Sequence, residues 1–180
     1  MPRLIAFLRA VNVGGRSVKM DVLREIFEGL GFQKVQTFIA SGNVIFDAKL
    51  QPSPSVTRKI ETRLLGELGF EVDTFLRTAD EVRAAASMRP FAAAAIDAAG
   101  AFSVGFLREA LDRDQIAKLK ALETPVDSFA TEGREIYWLC RKKQSESEFS
   151  NSLFEKKVGA RATFRGMNTM AKLAALLPRA

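Results

Sequence analysis

The sequence predicts an α+β fold built as two tandem ferredoxin-like (βαββαβ) subdomains with an extra C-terminal helix. Three observations carry that expectation. Short apolar runs and amphipathic stretches alternate in the order strand, helix, strand, strand, helix, strand. The same order recurs in the second half, and 180 residues suit two small domains. The boundaries fall at 1–77 for the first subdomain, 78–101 for a helical connector and 102–180 for the second subdomain with its terminal helix.

The run Leu4-Ile5-Ala6-Phe7-Leu8 within residues 3–11 is short and contiguous, the pattern of a strand covered on both faces. From Met20, the positions Leu23, Ile26, Phe27 and Leu30 follow helical spacing up to Gly31. A strand at 33–39 turns through Ser41-Gly42-Asn43 into Val44-Ile45-Phe46. After Pro52 and Pro54, Ser55 is placed to cap a helix with Val56, Ile60, Leu64 and Leu68 on one face, ending at Gly69. Glu71 to Leu76 closes the first set.

Thr78 and Glu81 have the spacing of a capping box, opening a connecting helix that ends before Pro90. The alanine-rich stretch 92–101 reads as a linker or helical extension. In the second set, 102–108 is a strand, Asp112 caps a helix carrying Ile116, Leu119 and Leu122, and 127–131 pairs with 135–140 across Glu132-Gly133. Ser145 and Glu148 are spaced to box a helix with Phe149, Leu153 and Val158, stopped by Gly159. Arg161 to Arg165 is the last strand, and a helix from about Thr169 ends the chain. A four-stranded sheet with helices on one face leaves its other face bare, to be covered by the other repeat or by a second chain in a homodimer.

With 47% hydrophobic and 27% charged residues the composition is that of an ordinary globular protein. No apolar run approaches the roughly 18 residues of a membrane span, and Arg9 interrupts the N-terminal run, so the sequence predicts neither a span nor a signal peptide and a cytoplasmic location. The lone Cys140, inside Ile136-Tyr137-Trp138-Leu139, reads as a buried structural thiol. Histidine is absent, which removes the commonest general base, the usual zinc ligand and every Ser-His or Cys-His pair. The sequence accordingly points to no metal and no cofactor.

Charge is uneven. Residues 141–180 hold nine cations against three anions, whereas residues 1–140 balance at eighteen of each, so the whole net charge of +6 lies in the C-terminal region. Such a region attracts phosphates or acidic partners, or is a solvated basic surface.

The site expected from the sequence joins two loops. In a split βαβ unit the first and third strands are antiparallel neighbours, so the loop after Leu8 approaches the bend before Val44. Arg9 can pair bidentately with a carboxylate or phosphate. Asn12 and Asn43 can donate and accept, and Gly14 and Gly15 can aim backbone amides at an anion, with Ser41 beside them. Against this, the glycines serve tight turns and both asparagines can bond their own loop backbones. No Gly-Lys-Ser/Thr and no G-x-G-x-x-G follows. A third candidate, Ala162 to Thr169, offers Arg165 and a helix whose first turn is capped by Asn168 or Thr169.

At Phe7-Leu8-Arg9-Ala10-Val11-Asn12-Val13-Gly14-Gly15, at Thr37 through Phe46 and at Thr163 through Leu173, the chain resembles the DUF1697 family of uncharacterised bacterial proteins. The resemblance implies two ferredoxin-like subdomains and no known reaction. Where the family usually has Asn-Trp, this chain has Gly166-Met167.

Three functional classes follow. The first is a binding module for an anionic ligand, a phosphorylated or carboxylated small molecule or a nucleic-acid segment. A sheet that stacks bases is disfavoured within it, because Tyr137 and Trp138 are adjacent and face opposite ways. The second is an enzyme using non-histidine groups such as Asp47 or a lysine, and the third a self-associating structural protein.

Overall fold

Along strand β1 (Arg3–Leu8), Leu4, Ala6 and Leu8 point to one face and Ile5 and Phe7 to the other, and all five are fully buried. The computed structural model describes residues 1–12, 15–38 and 42–179. It divides the chain into one unit of Met1–Arg83 with Leu173–Ala180, and another of Ala84–Lys172.

In the first unit β1 is followed by α1 (Met20–Gly29), β2 (Gln33–Phe38), β3 (Asn43–Asp47), α2 (Pro54–Leu68) and β4 (Thr74–Thr78). The antiparallel sheet has the order β2-β3-β1-β4. Leu23, Ile26 and Phe27 of α1 and Val56, Ile60 and Leu64 of α2 bury against the Leu4, Ala6, Leu8 face together with Val44, Phe46 and Leu76. Each such side chain stabilises the unit by about 1.5–3 kcal/mol.

Two expectations shift. Ser53, not Ser55, caps α2, accepting from the Val56 amide at 3.2 Å, because Pro54 lacks an amide proton and fits the first helical position. The closing strand runs Thr74–Thr78 rather than Glu71–Leu76, since its partner β1 ends at Leu8, opposite Thr74. Beyond it, Thr78 and Glu81 make the expected reciprocal box at the start of α3 (Ala79–Ser87), and α4 (Ala93–Asp97) lies in the alanine-rich stretch.

The second unit repeats the order with β5 (Ala101–Leu107), α5 (Arg113–Lys120), β6 (Asp127–Glu132), β7 (Glu135–Cys140), α6 (Asn151–Val158) and β8 (Ala162–Gly166), in a sheet ordered β6-β7-β5-β8. Asp112 and Gln115 form a reciprocal cap for α5. The expected box at Ser145 and Glu148 is absent: α6 is capped by Ser150, whose hydroxyl accepts from the Leu153 amide. The hydroxyl of Ser147 instead donates to buried Asp127, which also accepts from Trp138 Nε1 at 2.8 Å. Helix α7 (Met167–Ala175) starts directly after β8, two residues earlier than expected. Cys140 is fully buried, and burial pushes its thiol pKa up, as suits a structural thiol.

The registers align the two units residue by residue. Leu8 lies opposite Thr74 and Phe7 opposite Asn43; Leu107 lies opposite Ala162 and Phe106 opposite Glu135. Phe7-Leu8-Arg9 and Phe106-Leu107-Arg108 are thus structural counterparts. Among the described residues no helix is long and apolar enough to cross a membrane.

Candidate functional site

Three connections of the first unit gather at the Leu8 end of its sheet: residues 9–19, 39–42 and 69–73. The Leu8 amide donates to the Gly42 carbonyl at 2.8 Å and the Arg9 amide to the Asp73 carbonyl at 3.0 Å. Gly42 has φ +82, and a Cβ there would lie 2.7 Å from Val11 Cγ2 and 3.1 Å from Leu8 Cβ. Only glycine meets both demands, so the loop after β1 and the hairpin bend touch at this residue. The first loop is anchored in the core by Val11 and Val18, and its Arg16 guanidinium lies 4.4 Å from the ring centre of Phe70 in the third connection.

Arg9 stands where the three meet. Its Nη1 lies 3.5 Å from Asp73 Oδ2, and about a quarter of its side chain faces solvent (26%). That is a loose pair, which an incoming carboxylate or phosphate can rival. The next residue, Ala10, holds the left-handed φ of 58°, strain of a kind that collects at functional loops.

The other expected residues behave differently from one another. Asn12 is exposed, and its Oδ1 accepts from the Val18 amide at 2.8 Å, closing the loop on itself. Asn43 is fully buried, with Nδ2 donating to the Phe38 carbonyl at 2.8 Å across the hairpin. Both carboxamides therefore shape loop backbone. Gly15 is exposed with φ +84 and open space around it. Gly14 and Ser41 lie outside the described residues.

Arg165 and Asn168 belong to the second unit. Arg165 is buried in β8, where Nη1 donates to Thr163 Oγ1 at 2.8 Å and to the Phe164 carbonyl at 2.9 Å; burial lowers its pKa to about 10. It is a buried guanidinium within the sheet, two residues before the start of α7. Asn168 is the exposed second residue of α7 and so is not its cap, because the helix begins at Met167. Asp47 also lies away from the loops: it pairs with Arg3 at 3.0 Å and Lys34 at 3.6 Å at the far end of β3. Phe46, Tyr137 and Trp138 are all buried, so none of them offers a stacking surface.

Sequence reasoning missed Asp73 and Ala10. Asp73 was hidden inside an expected strand, and nothing in the residue name alanine signals a left-handed backbone. Among the described residues no group of three or more Cys, Asp and Glu side chains is placed to hold a metal ion.

Residues 1–137 match the family model described as a protein of unknown function (DUF1697). The chain belongs to this family. The DUF1697 match includes all three connections around Arg9 and ends inside β7, so the likeness noted at Thr163 through Leu173 lies beyond it. A solved structure of a conserved bacterial protein from Streptococcus pneumoniae is similar to the chain, with a TM-score of 0.75 and 25% identity over 99% of each chain. Comparison with curated proteins gives no match.

Proposed function

We propose that this DUF1697 protein is a binding module for a small anionic molecule, phosphorylated or carboxylated, held between the β1–α1 loop and the β2–β3 bend of a ferredoxin-like unit. The strand order β2-β3-β1-β4, with α1 and α2 both packed on the Leu4 face, supports the ferredoxin-like reading.

One observation carries the ligand reading. All three connections around Arg9 are longer than their counterparts in the second unit. The β1–α1 loop has eleven residues (9–19) against five (108–112), the hairpin bend four (39–42) against two (133–134), and the α2–β4 connection five (69–73) against three (159–161). The fold closes without the added residues, and added length on loops is where binding function concentrates. Within those loops a part-exposed guanidinium stands beside backbone held in strained and glycine-only conformations, the equipment of an anion cradle.

Titration with inorganic phosphate, pyrophosphate, ATP and a single-stranded RNA oligonucleotide, followed by amide NMR, tests the proposal. Saturable shifts centred on Arg9, Gly15 and Gly42 and weakened by salt are expected. Shifts absent for every probe, or confined to the C-terminal cations, overturn it. A preference for the oligonucleotide over the small anions moves the assignment to nucleic acid.

A further inference from the structure

At the opposite end of the sheets the two units close their cores differently: in the first, Phe32 lies 4.4 Å from Phe46 and 6.0 Å from Phe27, ring centre to ring centre, and a hollow remains beside it. In the second unit Phe149, immediately before the Ser150 cap, packs 4.7 Å from Phe129, 4.8 Å from Trp138 and 5.8 Å from Phe164, ring centre to ring centre. It also lies 6.5 Å from Phe154 in the fourth position of α6, as a hydrophobic staple should. In the first unit the residue before the Ser53 cap is Pro52, and the nearby Leu50 stands 66% exposed instead of inserting. A cavity of about 360 Å³ remains among Leu30, Phe32, Ala48, Leu50 and Val56.

The rim of that cavity is cationic. Lys49 and Lys59 border it, and the adjoining groove along α2 carries Arg58 and Arg63. The Lys59 ammonium donates to the Leu30 carbonyl at 3.3 Å and sits 5.9 Å from the ring centre of Phe32, so it is held over the mouth. The groove's one carboxylate, Glu67, accepts from Arg63 Nε at 3.0 Å. Four cations against one anion is a local excess in a stretch, residues 1–140, whose charges sum to zero.

We propose that this hollow is a second binding site, for an amphiphilic monoanion: an apolar chain or ring seated on Phe32 and Val56, with its carboxylate, sulfate or phosphate beside Lys59 and Lys49. The volume lies in the range of small-molecule sites, which are apolar with a few placed polar groups. A single sign of charge around low-dielectric walls selects the head group. The site stands on other residues than the Arg9 loops and does not depend on them.

Octanoate is the probe, with octanol and octylammonium as matched controls and 2-naphthoate to tell a ring from a chain. The full chain is titrated by amide NMR. Octanoate or 2-naphthoate is expected to saturate with shifts at Gly31, Leu50 and Val56, while octanol binds more weakly and octylammonium not at all. Lys59→Glu is expected to weaken the anion about tenfold or more, the loss of a charge-assisted contact, with unliganded shifts changed only around Leu30 and Phe32. Equal binding of octylammonium, indifference to Lys59→Glu, or no saturation by either anion overturns the proposal.

Discussion

Leu8 and Leu107 hold the same place in their sheets. Each ends an interior strand, donates its amide to the neighbouring hairpin bend (to Gly42 at 2.8 Å, to Arg134 at 2.9 Å) and is followed by an arginine. Around Leu107 the bend is the minimal pair Gly133-Arg134 and the route to the next helix is short; around Leu8 every connection is lengthened. At the other end of the sheets the contrast concerns how the core is closed: Phe149 rests on Trp138 in the second unit and Phe32 on Phe46 in the first, which keeps beside it a hollow rimmed by lysines. The second unit thus serves as an internal control for what the fold needs. Doubling a loop costs only about 0.6 kcal/mol in closure entropy, so the longer loops are thermodynamically cheap. The lengthening is confined to this end, which also carries the left-handed Ala10 and Gly42; at the other end the second unit has the longer connections, 121–126 against 30–32 and 141–150 against 48–53.

The largest expected effect breaks the contrast in how the cores close. Phe149→Ala removes a ring from the core of the second unit and should cost about 3–5 kcal/mol, whereas Leu50→Ala, at the exposed edge of the hollow, should change stability by about 0.5 kcal/mol or less. Denaturant unfolding read through Trp138, the one tryptophan, follows the second unit, and far-ultraviolet circular dichroism follows the chain as a whole. Similar losses for the two variants would mean that Leu50 packs as Phe149 does and that no hollow exists.

Next in size is the contrast in the bends. Gly42→Ala meets both a left-handed φ and a methyl of Val11 at 2.7 Å, while Gly133→Ala at φ +55 meets nothing nearer than Glu135 Oε2 at 3.7 Å. Backbone strain alone is worth about 1–2 kcal/mol, and overpacking adds about 1–3 kcal/mol. Gly42→Ala should therefore cost about twice as much as Gly133→Ala or more in the same unfolding measurement. Equal costs would show that the Val11 contact relaxes freely and that the two loops are not wedged together.

Much of this architecture was legible from local chemistry. The apolar runs gave the strands, Gly31, Gly69 and Gly159 stop the helices with positive φ, Thr78 and Glu81 box as spaced, and Asp112 caps its helix. The meeting of the Arg9 loop with the hairpin bend was legible too, because strand order fixes which ends are neighbours. Other features depend on partners distant in sequence. The Ser145–Glu148 box fails because the Ser147 hydroxyl is drawn to Asp127, twenty residues earlier, and the Glu146 carboxylate accepts from the Lys143 amide. The burial of Arg165 within a strand, bonded to Thr163, could not be read from its residue type. The lengthened loops could be recognised only once the two registers were aligned.

The smallest effect on stability sharpens the comparison most. Arg9 and Arg108 follow equivalent leucines, so replacing each by alanine removes the same charge from the same place in each sheet. Arg9 loses a loose, part-exposed pair with Asp73, and exposed Arg108 lies on the short loop. Arg108→Ala should cost about 0.5 kcal/mol or less, and Arg9→Ala about 1–2 kcal/mol, since its pair with Asp73 is loose at 3.5 Å but mostly covered. Anion binding should separate them: Arg9→Ala is expected to abolish the salt-sensitive shifts at Gly15 and Gly42, and Arg108→Ala to leave them intact. Calorimetric titration with pyrophosphate on both variants reads this directly. If the two lose binding alike, the anion senses overall positive charge rather than a cradle, and the lengthened loops owe their length to something other than Arg9.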